Sequence, residues 1–247
     1  MNYQIKAMSF AEMLDTAFRI VRDHFVPLVG LSAAVHIPIV FLNSQIRPSP
    51  DQIAWGRLAL SMLVSLLAGP IVATALTHAI GEIYLGRQAA IGRSLRSALA
   101  IILPLSGTLL LVYLGTIVGL LLLVIPGIYL SLSWMLTWPV MVLEHRFGTT
   151  ALGRSRELMR GNMLRALGIV VLGAIIVGML SAVLGIVLRF VPVPVFGTLA
   201  EGLAQSVGVA YSSVVLVLLY FDVRCRKEAF DIEHLARLVE SSGSVAA

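Results

Sequence analysis

The chain has 247 residues, 58% of them apolar and 13% charged, with a mean hydropathy of +0.94. A water-soluble domain carries about 45–50% apolar and about 25% charged residues, so this composition excludes an ordinary soluble globule. The excess of 18 Lys and Arg over 13 Asp and Glu follows from the preference of cations for cytoplasmic loops, and nucleic acid is not an expected partner.

The chain reads as one polytopic membrane domain over residues 1–247, all-α, with six spans. Residues 9–22 predict an amphipathic helix that opens on a Ser9–Glu12 capping box, with Met8 placed to staple Met13. Phe10, Met13, Leu14, Ala17, Phe18 and Val21 share one face, and Glu12, Asp15, Arg19 and Arg22 point away. Such a helix lies in the headgroup plane rather than crossing the bilayer. No small-residue cleavage pattern follows the first apolar run, so that run is expected to stay as a signal anchor.

The spans fall at 25–43, 58–82, 104–125, 128–144, 165–188 and 201–222, each long enough for about 30 Å of hydrocarbon. Pro126 and Gly127 predict a tight reversal between the third and fourth. Fifteen cations fall on the side of the termini and of the loops after the second and fourth spans, against Arg47, Arg57 and Arg189 opposite. This bias places both termini in the cytoplasm of a cell with a bacterial-type inner membrane.

A threefold pattern runs through the chain. The second, fourth and sixth spans end in the carboxylates Glu82, Glu144 and Asp222. Nine or ten residues later come "GRSLRS" at 92–97, "GRSREL" at 153–158 and "DIEHLA" at 231–236, each opening a helix. The last of these begins an amphipathic helix at 230–240. Three hairpins, each preceded by a cytoplasmic interfacial helix, are therefore expected. Small residues four apart serve close helix packing: Ser61, Ser65, Gly69, Ala73, Thr77 and Gly81, then Ala174, Gly178 and Ala182, and Ala204, Gly208 and Ser212.

Ionisable residues inside spans are functional candidates by default. His78 and Glu82 share a face at i and i+4, as a proton or cation site or as an interfacial ion pair with Arg87 or Arg93. His36 lies about 12 Å from His78 in depth, too far for a shared metal. Trp134, Trp138, Ser133 and Thr137 form either a lipid- or substrate-facing groove or bulky packing against glycine-bearing neighbours. Arg93, Arg96, Arg154, Arg156, Arg160, Arg165, Arg224 and Arg226 are candidate contacts for anionic headgroups. Arg154, Glu157 and Arg160 are spaced to pair along one helix, leaving Arg156 and Arg165 for Glu144 or a lipid phosphate. No nucleophile elbow, zinc-ligand spacing or phosphate loop is present in the sequence, and neither a cofactor nor catalysis is expected.

Four stretches carry a resemblance: "SFAEMLDTAFRIVRDHF", "LLVIPGIYLSLSW", "LEHRFGTTALGRSRELMRGN" and "YFDVRCRKEAFDIEHLA". They resemble the six-span membrane domain attached to some glycerophosphodiester phosphodiesterases and also found free-standing. In the fused proteins catalysis belongs to a separate barrel, so the resemblance implies a membrane module without the enzyme. The expected function is a non-enzymatic anchor or organiser in envelope-lipid homeostasis, with membrane lipids, and a protein partner or second copy, as its contacts. A small transporter or lipid-handling permease is the alternative, and a phosphodiesterase-associated subunit the third.

Overall fold

The computed structural model describes residues 7–44, 55–84, 90–188 and 194–228, with side chains at 42–55, 57–68, 122, 180–181, 184–196 and 198 set aside. Ten helices follow in order among the described residues: α1 Phe10–Asp23, α2 Phe25–Ser44, α3 Trp55–Tyr84, α4 Ile91–Ala100, α5 Ile102–Leu122, α6 Val124–Ser133, α7 Thr137–Leu143, α8 Thr149–Met159, α9 Met163–Leu188 and α10 Pro194–Glu228. Ile102–Leu121, Val124–Leu143 and Leu199–Glu228 are each long and apolar enough to cross a membrane. The count reaches five if the bent pairs α1–α2 and α8–α9 are each one span. Part of the second predicted span (58–82, in α3) and all of the helix at 230–240 lie outside the described side chains, as do Arg87 and Arg189.

Two corners put short amphipathic helices across the long ones. At His24 the chain turns by 83° between α1 and α2, and at Arg160–Asn162 by 94° between α8 and α9. The second corner uses Gly161 at φ +84°, a conformation that costs glycine nothing and other residues about 1–2 kcal/mol. The capping box of α1 forms as expected, with Ser9 Oγ accepting from the Glu12 N–H and Glu12 accepting from the Ser9 N–H.

Within the apolar face of α1 the burial is graded. Met13, Ala17 and Val21 are buried together with Ile20, Leu14 packs against the core, and Phe10 and Phe18 are 40% and 58% exposed. The buried side packs onto α10 and α2, and Phe10 lies at its edge beside Gly168 of α9.

The reversal between α5 and α6 also falls elsewhere. A single extended residue, Leu123 (φ −164°, ψ 144°), makes the turn, and Pro126 and Gly127 already lie in the first turn of α6. Proline is tolerated there because first-turn N–H groups have no intrahelical partner. Gly127 acts by size: a Cβ on it would stand 2.8 Å from the Leu120 Cα. Gly115 similarly seats the Trp134 ring, which fills the space where a side chain would be.

The fourth predicted span corresponds to Val124–Leu143, one stretch long and apolar enough to cross a membrane, with an irregular turn at 134–136 where α6 passes into α7. Between α6 and α7, Met135 and Thr137 donate to carbonyls three residues back. Pro139, four residues after Met135, removes the N–H that would close the next turn.

Burial separates centre from edge. Of its most apolar window α10 buries 72%, whereas α5 buries 22% and packs chiefly on α6. Helix α10 therefore forms the axis of the molecule, in contact with α2, α9, α1 and α3, and the α5–α6 hairpin stands at its periphery.

Candidate functional site

The last turns of α3, α7 and α10 converge. Tyr84 stacks on Phe221 with ring centroids 4.9 Å apart. A Cβ on Gly81 would meet Leu143 Cδ2 at 2.8 Å, so these two helix ends touch. Tyr220 donates its hydroxyl to Glu144 at 2.9 Å. The three carboxylates at the ends of the spans, Glu82, Glu144 and Asp222, thus sit at one end of the molecule, which is also its arginine-rich end.

Glu82 and Glu144 each receive a donor from the short helix that follows. Glu82 accepts from Arg93 Nη1 at 3.1 Å, and His78 Nδ1 stands 3.9 Å from its other oxygen. Ser94 Oγ lies 3.4 Å from the same His78 nitrogen. Glu144 accepts from Arg154 Nε at 3.0 and 3.2 Å and from Arg146 at 3.3 Å. Ser155 is fully buried and donates to the Ser133 carbonyl at 2.9 Å. The repeated Gly-Arg-Ser triplet therefore does one job twice. Its arginine closes on the carboxylate of the preceding helix end, and its serine tethers the short helix to the long one.

Asp222 completes the series from the chain's other end. It is fully buried and accepts the Met8 backbone N–H at 2.7 Å, Arg165 Nε at 3.0 Å and Arg226 Nε at 3.1 Å. The Met8 carbonyl in turn accepts from both Arg165 Nη2 and Arg226 Nη2. A buried carboxylate is tolerable only when paired and hydrogen-bonded, and here every donor is charged or a backbone amide. Arg165 also lies over the Phe10 ring, 4.9 Å from its centroid.

Around Glu144 the contacts close into a circuit. Arg154 joins Glu144 to Glu228, Arg224 joins Glu228 (2.9 Å) to the Tyr220 hydroxyl (3.1 Å), and that hydroxyl returns to Glu144. Burial works against the Arg154 charge, but hydrogen bonds to Glu144 and Glu228 outweigh it and hold the guanidinium above its ordinary range. The incoming loop is fixed as well: Gly148, at φ 62° and ψ −142°, donates to the buried Thr108 hydroxyl at 2.7 Å.

The pairing differs from the one read in the sequence. Arg154 takes Glu144, and also meets Glu157 at 3.4 Å. Of the two cations left for Glu144 or a lipid phosphate, Arg165 takes Asp222, because the corner at Gly161 directs α9 toward α10. Arg156 is exposed and stands 6.0 Å over the Tyr129 ring. Of the eight candidate headgroup arginines, Arg93, Arg154, Arg165, Arg224 and Arg226 are held by carboxylates of the chain. Arg96, Arg156 and Arg160 are exposed on α4, α8 and the corner after it. Tyr220 and Glu228 went unread, although the i, i+4 spacing of Arg224 and Glu228 was a usable signal.

Of Trp134, Trp138, Ser133 and Thr137, Trp134 packs over Gly115 as bulky packing against a glycine-bearing neighbour requires, Ser133 turns its hydroxyl to the Tyr129 carbonyl, and Thr137 is buried. A groove of about 450 Å³ lies between α2, α9 and α10, with His36 on its wall. Among the described residues no three His, Cys, Asp or Glu side chains come together as metal ligands.

Residues 93–225, more than half of the chain, match a family described as a domain of unknown function, DUF8558. The match begins at Arg93 and takes in Glu144, Arg154, Arg165 and Asp222. No curated protein and no solved structure matches the chain.

Proposed function

We infer that this chain, which belongs to the DUF8558 family, is a non-catalytic membrane module that holds a rigid basic collar against the inner face of a bacterial-type inner membrane. It crosses the bilayer six times as three units, each made of a short interfacial helix, a span and a return span: α1–α2–α3, α4–α5–α6/α7 and α8–α9–α10. Both termini lie in the cytoplasm. The role is anchoring or organising in envelope-lipid homeostasis, in keeping with the likeness of its motifs to the membrane domain of glycerophosphodiester phosphodiesterases.

One observation carries this reading. The helix-end carboxylates are taken up by the collar's own donors, so the collar is locked, and Arg96, Arg156 and Arg160 remain turned outward. Fixed exposed cations on transverse helices suit anionic headgroups, at about 1 kcal/mol each. Most acidic residues on and beside the described helices also support a structural rather than a catalytic use: Glu12 caps α1, Asp15 pairs with Arg19 and Asp23 with Arg22, and Glu82, Glu144, Glu157, Asp222 and Glu228 pair within the collar, while Glu201 lies exposed on α10.

Cysteine accessibility in a Cys225→Ser background tests the arrangement. Cysteines placed at Arg96 and Arg160 should be labelled only from the inner face, and one at Arg47 only from the outer face. Labelling of Arg96 and Arg47 positions from the same side sinks the six-span reading. The permease reading is favoured by the groove beside His36, and transport of a defined solute by purified protein in vesicles would promote it over the anchor.

A further inference from the structure

We propose that the groove between α2, α9 and α10 is a binding site for an uncharged lipid bearing hydroxyl and ester groups, an acylglycerol in chemical class. The proposal rests on the membrane reading above.

The groove exists because α10 meets its neighbours at two glycines. A Cβ on Gly202 would stand 3.2 Å from the Ile37 Cα, so α2 crosses α10 closely there. A Cβ on Gly208 would stand 2.9 Å from Val177, so α9 approaches one and a half turns further on. Beside these contacts the helices part: the wall runs along α10 from Ala204 to Leu216, takes in Gly208, Val177 and His36, and encloses about 450 Å³, within the range of about 300–1,000 Å³ usual for ligand sites.

Its wall carries polar groups that the fold does not use. Elsewhere on the helices Thr77, Ser106, Thr108, Ser131, Ser133 and Ser206 all donate to the carbonyl four residues back. Ser212 and Ser213, both on the groove, have no such bond, and neither they nor Gln205 finds a partner among the described residues. His36 Nδ1 is 3.0 Å from the Ser32 carbonyl, and donating there leaves Nε2 as an acceptor.

Depth makes this unusual. Ser213 is nine residues from Asp222 along α10, about 13 Å at 1.5 Å per residue, and Gln205 is about 25 Å away. These groups therefore face the hydrocarbon region, where an unsatisfied polar group costs several kcal/mol in general. A lipid is the occupant that the surroundings supply, and the lining selects its kind. Two hydroxyls and an amide donate to ester carbonyls, and an imidazole nitrogen accepts from a free hydroxyl. Among the described residues its wall carries no Lys, Arg, Asp or Glu, so these groups offer nothing to an ionic headgroup.

The test uses the full chain in phosphatidylcholine nanodiscs with a diacylglycerol carrying an acyl-chain diazirine. Photolabel should concentrate on peptides of α2 and α10 around His36 and Gln205–Ser213. Unlabelled diacylglycerol should compete at least tenfold better than phosphatidylglycerol. Ser212→Leu with Ser213→Val should lower labelling at least tenfold, and Ser106→Ala, which removes a back-bonded hydroxyl on α5, should leave it unchanged. Equal competition by phosphatidylglycerol, or labelling indifferent to the double variant, overturns the proposal. If the topology map holds while either of these results appears, the lipid site alone is wrong. If the map fails, the reading beneath it is wrong.

Discussion

Tyr220 and Glu144 stand 76 positions apart in the chain and 2.9 Å apart in space, joined by a phenolic hydrogen bond. That bond ties the axial helix α10 to the end of α7, and it is one link of a circuit through Arg154, Glu228 and Arg224. Removing the hydroxyl leaves two charged neighbours short of a partner. Tyr220→Phe should cost about 1–3 kcal/mol. Combined with Glu144→Gln it should cost less than the sum of the two single changes, by about 0.5 kcal/mol or more. A double-mutant cycle by unfolding in detergent measures both.

Asp222→Ala strands Arg165 and Arg226 around the Met8 carbonyl. Breaking one side of such a buried cluster costs about 3–5 kcal/mol, whereas removing a whole charged set costs less. Asp222→Leu with Arg165→Met and Arg226→Met should therefore be more stable than Asp222→Ala. Melting temperatures of the purified variants decide this.

Two glycines with open space around them should respond in opposite directions. Gly148 has room for a Cβ but sits at φ +62°, ψ −142°, where alanine is strained by about 1–3 kcal/mol. Gly153 also has room, at an ordinary helical position in α8, so alanine there should stabilise by about 0.5–1 kcal/mol. Thermal unfolding of Gly148→Ala and Gly153→Ala should bracket the wild type.

The α5–α6 hairpin depends on close backbone approach. Gly127→Val pushes against the Leu120 backbone and should cost about 1–3 kcal/mol or splay the hairpin. Crosslinking between cysteines at 116 and 131, lost in the variant, reports the opening.

Replacing Arg96, Arg156 and Arg160 with Gln should leave stability nearly unchanged and weaken anionic-lipid enrichment. The loss is about 1 kcal/mol per cation at low salt and shrinks as the Debye length falls. Quantifying phosphatidylglycerol retained by purified protein against salt concentration checks it.

What sequence could convey follows from the range over which each signal acts. Apolar runs placed α2, α5 and α9 within about three residues, since each run fixes its own helix, while α10 extends six or seven residues past its run at both ends. The Ser9–Glu12 cap and the two Gly-Arg-Ser triplets were visible because their partners are local or repeated. Pro126 misled because proline marks a helix start as readily as a stop, so the turn fell at Leu123. Pro139 was the overlooked sign of the irregular turn at 134–136 inside the fourth predicted span. The pairing of Arg165 with Asp222 spans 57 positions, and no spacing rule reaches that far. The stripe Ala204, Gly208 and Ser212 was readable as small, but not as the wall of a groove, on which all three stand with Val177 of α9 and His36 of α2. That outcome depends on how α2 and α9 pass α10, which no spacing along one helix encodes.

The bond between Met8 and Asp222 sets an order of events during synthesis. Met8 is made 214 positions ahead of its acceptor. Until α10 is inserted, the entry to α1 lacks its carboxylate and Arg226, with only Arg165 of α9 already made, and the assembly stays open. Completion of the last long helix is thus what seals the first, and a chain stalled before Asp222 carries an unclosed seam that a membrane protease can recognise as unfinished.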